Sequence, residues 1–268
     1  MTSPGGAEIK EIAMSPDEPL LALDGVSMAF GGVTALREVS LVIQRGEVCG
    51  IIGPNGAGKS TLFSIIAGSV LATAGRVVFC GADISRLPMY ERARIGIART
   101  FQLAHTFDSM SVEDNVLVGA EDHARFDIGA AIIRSGPFVA KLADARRRAG
   151  DAMAAVGITG IAHLPASQLT YGQQRLVATA RALAARPQLL LLDEPAAGLS
   201  IGDIEFLCGA VLRARSYGTT VLVVEHNVEM IMRLCDHLVV MHLGEKIGDG
   251  KPDDVRQSER VVEAYVGA

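Results

Sequence analysis

Apolar residues in this sequence fall into short compact runs that alternate with longer segments of helical period. Runs at 47–52, 188–195 and 219–224 predict buried strands, and each run leads directly into a turn or a helix. Leu189–Leu192 provides four consecutive leucines, a pattern typical of a strand buried on both faces of a parallel sheet. The order of strands and helices therefore predicts an α/β core.

Three other segments of the chain have a different character. Residues 20–46 contain two alternating stretches on either side of a double glycine, which predicts antiparallel strands joined by short turns. Residues 112–156 are rich in alanine and helical in pattern, with a break at 135–137, and indicate a helical subdomain inserted in the core. Residues 1–19 lack periodicity and are rich in proline, glycine and acidic residues, so we expect a flexible tail.

The stretch GPNGAGKST, from Gly53 to Thr61, fits the phosphate-binding pattern G-x-x-x-x-G-K-[S/T]. It lies between the strand at 47–52 and a predicted helix at 62–67, the setting in which such a loop binds a triphosphate. Its glycines let backbone amides approach the phosphates, Lys59 is placed to reach the β- and γ-phosphates, and Ser60 offers a hydroxyl to Mg²⁺. The candidate nucleotide-binding residues of this loop are Gly53, Pro54, Asn55, Gly56, Ala57, Gly58, Lys59, Ser60 and Thr61.

Two carboxylates, Asp193 and Glu194, follow the leucine-rich strand, at the end where open α/β sheets bind ligands. Because a phosphate loop lies upstream, we interpret Asp193 as the residue that holds Mg²⁺ and Glu194 as the general base that polarises the attacking water. The alternative is an acid pair that only caps a turn. His226 follows the third buried run, and its position at another strand end on the same edge favours a functional role over a purely structural one.

The composition limits the classes of partner. The chain has 268 residues, of which 49% are apolar, so it can form a large core. Its net charge is −5, which gives no electrostatic reason to expect binding to nucleic acid. We interpret the basic run Arg146–Arg148 as a solvated helix face. The four scattered cysteines indicate reduced core residues, and no apolar run approaches the ~20 residues that span a bilayer. We therefore expect a soluble, cytosolic protein that can still dock on a membrane protein.

These motifs resemble, in their order, those of the ATP-binding cassette family over about residues 20–267. The order runs Phe30, the loop at 53–61, Gln102 after Thr-Phe, a Leu-x-x-Gly-Gln signature at 169–173, Asp193-Glu194 and His226. The resemblance implies an α/β fold with a P-loop NTPase (RecA-like) core, an antiparallel β subdomain and an inserted α-helical subdomain. The implied ABC ATPase domain covers 20–268, with the β subdomain and core at 20–100 and 171–268 and the helical subdomain at 101–170.

The resemblance also implies a role for each motif. Phe30 stacks on adenine, although the pattern alone leaves it equally open as a core side chain at a strand end. Gln102 lies near Mg²⁺ and the attacking water and senses the membrane partner, while the signature lines the γ-phosphate of ATP bound to the opposite subunit. His226 contacts the γ-phosphate. The implied signature contacts are Thr170, Gly172 and Gln173, the implied catalytic set is Lys59, Gln102, Glu194 and His226, and the implied Mg²⁺ set is Ser60, Gln102 and Asp193.

A family member of this kind implies several partners. Because loop and signature sandwich each nucleotide between two subunits, we expect a second ATPase subunit, either an identical copy or a paralogue. The resemblance further implies transmembrane permease subunits, contacted through residues 103–118, and indirectly a substrate-binding protein. The expected location is then the cytoplasmic face of the inner membrane, as a peripheral subunit.

Two departures from the common family pattern narrow the resemblance. The signature reads Thr170-Tyr171-Gly172 in place of Ser-Gly-Gly, and 197–200 reads Ala-Gly-Leu-Ser in place of Ser-Ala-Leu-Asp. LTYGQQR, DEPAAGL, ARTFQ, the insertion at 122–134 and the ending VVEAYVG resemble the ATPase subunits of branched-chain (Liv-type) amino-acid importers, specifically the longer of their two ATPases. Relatives of that group handle urea, amides or other hydrophobic amino acids.

Three alternatives remain open from the sequence. The ATPase can serve an exporter of lipid or polysaccharide, or belong to a non-transport cassette of DNA repair, translation or iron–sulfur assembly. Repair types need long coiled coils and translation types need two cassettes, neither of which the sequence contains. A regulatory subunit that binds ATP without turnover is the non-enzymatic alternative, against which the intact Lys59, Asp193, Glu194 and His226 argue.

Overall fold

The computed structural model describes residues 18–100, 106–120 and 136–266. Its strands are β1 (Leu21–Phe30), β2 (Val33–Ile43), β3 (Val48–Ile52), β4 (Ala74–Phe79), β5 (Ala82–Asp83), β6 (Ile97–Arg99), β7 (Leu189–Asp193), β8 (Thr220–Val224), β9 (His237–His242) and β10 (Glu245–Gly250). Its α-helices are α1 (Lys59–Ala67), α2 (Met89–Arg94), α3 (Val112–Ala120), α4 (Gly136–Ala155), α5 (Tyr171–Ala184), α6 (Ile201–Ser216), α7 (Val228–Leu234), α8 (Pro252–Arg256) and α9 (Glu259–Val266).

A six-stranded sheet forms the centre of the molecule in the order β10-β9-β3-β8-β7-β6. Its strands run parallel except β10, which pairs antiparallel with β9. The side chains of Leu189–Leu192 are fully buried, as the run of leucines predicts. Leu189 and Leu191 belong to the core under α1, whereas Leu190 and Leu192 belong to the core under the other helices, so the strand is covered on both faces.

A second, four-stranded antiparallel sheet has the order β2-β1-β4-β5 and shares the α1 core. Leu21 of β1 is the partner of both Ile43 of β2 and Phe79 of β4, and all three side chains are buried. This sheet and the six-stranded sheet together confirm the predicted α/β fold with an antiparallel β part. Helix α1, which follows the phosphate loop, is packed between them.

Helices α3, α4 and α5 pack against one another to form the helical layer, and α5 also contacts β6 and β7. The boundaries of 101–170 for a helical subdomain stay a prediction, and the insertion at 122–134 lies outside the described residues. The interpretation of Arg146–Arg148 as a solvated face is wrong for Arg148. Its guanidinium is largely buried, donates to the carbonyl oxygens of Ala120 and Ala184 and pairs with Asp144, so it joins three helices.

Arg92 is a buried residue that sequence patterns did not single out. Its guanidinium donates to the carbonyl oxygens of Ile65 (2.7 Å) and Ile66 (2.8 Å) at the end of α1, and to that of Ile84 (2.7 Å). Burial lowers its pKa to about 10, against the opposing charge of Asp83. Because carbonyl groups at a helix end lack partners within the helix, Arg92 fastens the end of α1 to the segment before α2.

The described cysteines carry no disulfide: Cys49 and Cys235 are buried, whereas Cys80 and Cys208 are only partly buried. Cys80 is an exception to the expected apolar setting, because its sulfur contacts Arg45 and Gln188. Across residues 18–100, 106–120 and 136–266, no helix is long and apolar enough to cross a membrane.

Candidate functional site

Three of the predicted motifs, the loop at 53–61, Asp193-Glu194 and His226, come together at one edge of the six-stranded sheet. Neighbouring parallel strands β3, β8 and β7 end there, and their carboxyl ends lead respectively into the phosphate loop, into Glu225-His226 and into Glu194. Parallel strands place their carboxyl ends on the same side of a sheet, which explains how motifs far apart in sequence meet. Gln102 lies outside the described residues.

Lys59 is buried inside its own loop. Its side chain is 5% exposed, and Nζ donates to the carbonyl oxygens of Gly53 (2.7 Å) and Pro54 (2.9 Å). Burial lowers the pKa of Lys59, while the charge of Glu194 acts in the opposite direction. The ammonium group is therefore desolvated and held at the start of α1, close enough to Glu194 to interact with its charge.

Two glycines of the loop are required by packing as well as by conformation. A Cβ on Gly53 (φ +150°) would lie 2.1 Å from the carbonyl oxygen of Met241, and one on Gly58 (φ +95°) would lie 2.7 Å from that of Ala35. Strands β9 and β2 thus hold the loop in place from two sides. From the sequence we expect these glycines to let phosphate approach the backbone, and this stays a prediction beside the packing reason.

Asp193 has the properties expected of a metal-binding carboxylate. It is 3% exposed, and its Oδ2 accepts from Arg99 Nη2 at 3.0 Å, whereas Oδ1 is buried with no hydrogen-bond partner among the described residues. A buried carboxylate oxygen in this state fits a cation or its water shell. The described residues contain no cluster of three or more His, Cys, Asp or Glu suited to a metal. Mg²⁺ does not need one, because it is usually held by one or two protein oxygens with phosphates and water.

Glu194 and His226 form a direct pair across two strand ends. His226 Nε2 lies 2.8 Å from Glu194 Oε1, and the two side chains are 47% and 24% exposed, respectively. Glu194 adopts φ +46°, a left-handed conformation that non-glycine residues rarely adopt, while its N–H donates to the carbonyl oxygen of Val224 at 2.8 Å. Such a strained backbone persists only when its surroundings fix it, and it is frequent at functional sites.

Glu225 is a member of this edge to which the sequence analysis gave no role. Its carboxylate is 4% exposed and accepts from the backbone N–H groups of Ala196 (2.7 Å), His226 (2.9 Å) and Asn227 (3.3 Å). It therefore ties the segment after Glu194 to the segment that carries His226. The signal in the sequence was an acidic residue directly after an apolar strand, but only the contact with Ala196 shows its purpose.

The signature at 169–173 begins helix α5. The Thr170 hydroxyl accepts from Gln173 N–H (3.3 Å), and the Gln173 side chain accepts from Thr170 N–H (3.0 Å), which is a reciprocal capping box. Gly172 is buried, and a Cβ there would lie 3.3 Å from Leu199. Thr170 and Gln173, which the resemblance assigns to nucleotide binding, thus also cap the start of α5.

The segment after Glu194 keeps a helix-capping residue where the common family pattern has aspartate. Ser200 caps α6, since its hydroxyl accepts from Asp203 N–H at 3.2 Å and donates to Asp203 Oδ2 at 2.7 Å. Serine and aspartate are both good helix caps, so this departure preserves the local structure.

Phe30, the last residue of β1, is 49% exposed. Of the two interpretations that the sequence left open, the structure disfavours a core side chain. The ring stands at the start of the turn before β2 and is accessible to a ligand, and its stacking on adenine stays a prediction.

Part of the segment expected to contact a membrane partner is described. The buried amide of Asn115 accepts from Phe107 N–H (2.8 Å) and donates to the carbonyl oxygens of Phe107 (3.1 Å) and Ser111 (2.9 Å), which fixes this loop on α3. The Phe107 ring is 48% exposed and lies beside the Arg181 guanidinium, 5.7 Å from the ring centroid.

The sheet order, the loop at the end of β3 and the acidic groups at the ends of β7 and β8 define a nucleotide-binding protein of the P-loop class. A family model described as "ABC transporter" matches residues 36–197. The chain belongs to this family, as an ATP-binding cassette whose ATPase activity is coupled to transport.

Sequence relatives agree with this assignment. The chain is 36% identical over 250 residues to the "High-affinity branched-chain amino acid transport ATP-binding protein BraF" of Pseudomonas aeruginosa, covering 93% of this chain and 98% of BraF. It is 33% identical over 251 residues to the LivG protein of the same description from Escherichia coli, with the same two coverages.

Solved structures give the same result. A nucleotide-free ATP-binding cassette from an ABC transporter matches with a TM-score of 0.78 and 30% identity, over 94% of this chain and 100% of that chain. The ADP conformation of MJ1267, another ATP-binding cassette of an ABC transporter, matches with a TM-score of 0.78 and 31% identity over the same shares. The predicted cassette fold is confirmed.

Proposed function

We propose that this chain is the ATP-hydrolysing subunit of an importer for branched-chain or other hydrophobic amino acids. The observation that carries the enzymatic part is the Glu194–His226 pair at the sheet edge that also presents the buried ammonium of Lys59. The substrate class is supported by the relatives, since BraF and LivG are both described as branched-chain amino acid transport proteins.

In this proposal the triphosphate of ATP lies along the loop at 53–61, with adenine against Phe30. Lys59 exchanges its bonds to the carbonyl oxygens of Gly53 and Pro54 for bonds to β- and γ-phosphate oxygens. The buried position of Lys59 favours this exchange, because a desolvated cation interacts more strongly with an anion than a hydrated one does. The N–H groups at the start of α1 add further donors.

Glu194 then acts on the attacking water. Its carboxylate accepts the proton as the water oxygen attacks the γ-phosphorus, and the bond between that phosphorus and the β–γ bridging oxygen breaks. His226, whose Nε2 lies 2.8 Å from Glu194 Oε1, keeps the carboxylate oriented, and in this proposal its ring also contacts the γ-phosphate. When bound, Mg²⁺ would neutralise charge on the phosphates, and Ser60, Asp193 and Gln102 would hold it.

The remaining partners complete the proposal. Each nucleotide is sandwiched between the loop of one ATPase subunit and Thr170, Gly172 and Gln173 of a second subunit, which is a copy or a paralogue. Transmembrane permease subunits bind the segment 103–118, where Phe107 presents an exposed ring, and a substrate-binding protein supplies the amino acid. The chain then works as a peripheral subunit at the cytoplasmic face of the membrane, and closure of the dimer is the conformational step linked to transport.

Uptake of labelled leucine tests this proposal. A strain that lacks the chain is complemented with wild type, with Glu194→Gln and with Tyr217→Phe, a change at a tyrosine that is 87% exposed and remote in sequence from the loop motifs. We expect wild type and Tyr217→Phe to restore uptake and Glu194→Gln to fail at equal protein levels. Other leucine transporters must first be removed from the strain.

Different outcomes separate the parts of the proposal. Unchanged leucine uptake in the deletion strain would discard the substrate and keep the ATPase, and urea, amides and export would be tested next. Restored uptake with Glu194→Gln would instead discard the assigned base.

A further inference from the structure

Tyr171 is a large side chain at a signature position where the common family pattern has glycine, and it contacts two residues, Arg175 and Gly198. Its hydroxyl accepts from Arg175 Nη2 at 2.8 Å, and the Arg175 guanidinium carbon lies 5.0 Å from the centre of its ring. The ring also packs on Gly198, where a Cβ would lie 3.0 Å from ring carbon Cδ1. Tyr171, which is 48% exposed, therefore connects the start of α5 to the segment after Glu194.

Arg175 connects this tyrosine to the proposed base. It lies one helical turn after Tyr171, is 7% exposed, and its Nη1 donates to the backbone carbonyl oxygen of Glu194. The carbonyl belongs to the residue that adopts the left-handed conformation at φ +46°. Since the same backbone also donates to Val224, the peptide groups on both sides of Glu194 Cα are held.

The consequence concerns the direction of the Glu194 carboxylate. A change in the φ of Glu194 would redirect its side chain, and a catalytic group that moves by about 1 Å can lose about 100-fold in rate. Removing the Tyr171 hydroxyl would leave Arg175 Nη2 without this acceptor and loosen the guanidinium that holds the Glu194 carbonyl. Gly198 provides a second contact between the same ring and the same segment.

We propose that Tyr171 is a positioning residue for Glu194 of its own subunit, acting through Arg175. This rests on the proposed role of Glu194 as the base. The signature of one subunit then has two faces: Thr170 and Gly172 are expected at the nucleotide of the partner, while Tyr171 and Arg175 set the geometry for hydrolysis at the subunit's own nucleotide. A tyrosine in place of glycine thereby links the two nucleotide sites through one helix.

The experiment measures kcat and KM for MgATP hydrolysis by the assembled transporter carrying each variant of this chain. Tyr171→Phe keeps the ring on Gly198 and removes only the hydroxyl, and we expect kcat to fall about 3- to 10-fold with KM changed less than about twofold, as for one lost hydrogen bond. Tyr171→Ala, which also removes the ring, should lower kcat further. Tyr217→Phe loses a hydroxyl at an exposed site and should match wild type.

A double variant separates positioning from direct contact with the nucleotide of the partner. Because Tyr171 acts through Arg175, Tyr171→Phe should lower kcat no further in an Arg175→Lys background. A wild-type kcat in Tyr171→Phe, a loss confined to KM, or additive losses in the double variant would each overturn the proposal.

The same protein preparations test separately the role of Glu194 as the base and the role of Tyr171 as a positioning residue. If Glu194→Gln does not hydrolyse ATP while Tyr171→Phe has the wild-type kcat, Glu194 remains the proposed base. Only the positioning role of Tyr171 would then be discarded. Hydrolysis at the wild-type rate by Glu194→Gln would remove both.

Discussion

The two edges of the parallel sheet each carry a glutamate–histidine pair, and the two pairs differ in almost every other respect. At the carboxyl edge, His226 contacts the single carboxylate of Glu194 and its side chain is 47% exposed. At the amino edge, His237 at the start of β9 lies between Glu47 (Nδ1 to Oε1, 3.3 Å) and Asp249 (Nε2 to Oδ1, 2.5 Å), and it is 18% exposed.

The charged groups around each histidine explain why we assign His237 a structural role and His226 a functional one. The hydrogen bond that protonated His237 donates to Glu47, opposed by burial and assisted by Asp249, raises the pKa of His237 to about 9. Burial raises the pKa of Asp249, but the hydrogen bonds from Lys246 and His237 outweigh it, and the net direction is downward. The amino-edge pair is thus a closed network in which both nitrogens of the imidazole are occupied. The carboxyl-edge pair keeps one side open to a ligand.

Residue type alone therefore does not identify a catalytic histidine. Both histidines lie at strand ends and both contact glutamate. Two features distinguish them: the edge of the sheet at which each histidine lies, and the number of carboxylates that it contacts. His226 remains accessible to a ligand, whereas His237 joins neighbouring strands.

We expect the largest effect on ATP hydrolysis from a change at the carboxyl edge of the sheet, at Glu194. Glu194→Gln retains the size of the side chain and removes the proton acceptor, so we expect kcat for ATP hydrolysis to fall by about 100-fold or more. ATP binding and the melting temperature should stay near those of wild type, since the side chain is partly exposed. Equal kcat values for the two proteins would contradict the assigned base.

A smaller effect is expected for Lys59→Ala. Removing a charged donor to phosphate should weaken ATP binding by about 10- to 100-fold. Titration of the purified chain with ATP and Mg²⁺ by calorimetry measures this, with Tyr217→Phe as the control for purification and folding. An unchanged dissociation constant would show that Lys59 does not contact the nucleotide.

The smallest effect on turnover, and the largest on stability, is expected at the amino edge. The pKa of His237 in the folded protein, about 9, exceeds the ordinary value of 6.5, so the folded state binds its proton more tightly than the unfolded state does. This stabilisation, reduced by solvent screening to about 1–2 kcal/mol, is fully present below pH 6.5 and is lost as the pH rises through 9. His237→Gln should therefore lower the free energy of unfolding by about this amount at pH 6, but by little at pH 10.

Denaturant unfolding of the full chain at the two pH values provides the measurement. His226→Gln is the matched variant: it should lower kcat, while its side chain, about half exposed, should contribute little to the free energy of unfolding. If His237→Gln were equally destabilising at both pH values, the protonated network would not be the source of the stability.

Local patterns in the sequence predicted most of the core. The strand at Leu189–Leu192, the glycine-rich loop before α1 and the strand before His226 depend on runs of neighbouring residues, which is why their positions agree with the structure. Helix α1 itself begins at Lys59, three residues earlier than predicted. Arg148 and Arg92 show where such reasoning stops. A charged residue in a helix is normally solvated, and only the packing of neighbouring helices and loops reveals that these guanidinium groups are buried against carbonyl oxygens.

The sequence by itself determined the phosphate loop, the acidic strand end and the resemblance to ATP-binding cassettes, because each of these is a short motif with its own spacing. The tertiary structure alone decided which residues support those motifs. Glu225, Arg175 and Tyr171 contact residues 19 to 29 positions away in the sequence, through hydrogen bonds and ring packing on Ala196, Glu194 and Gly198. Such contacts have no period or spacing, since the fold sets them by bringing distant segments together.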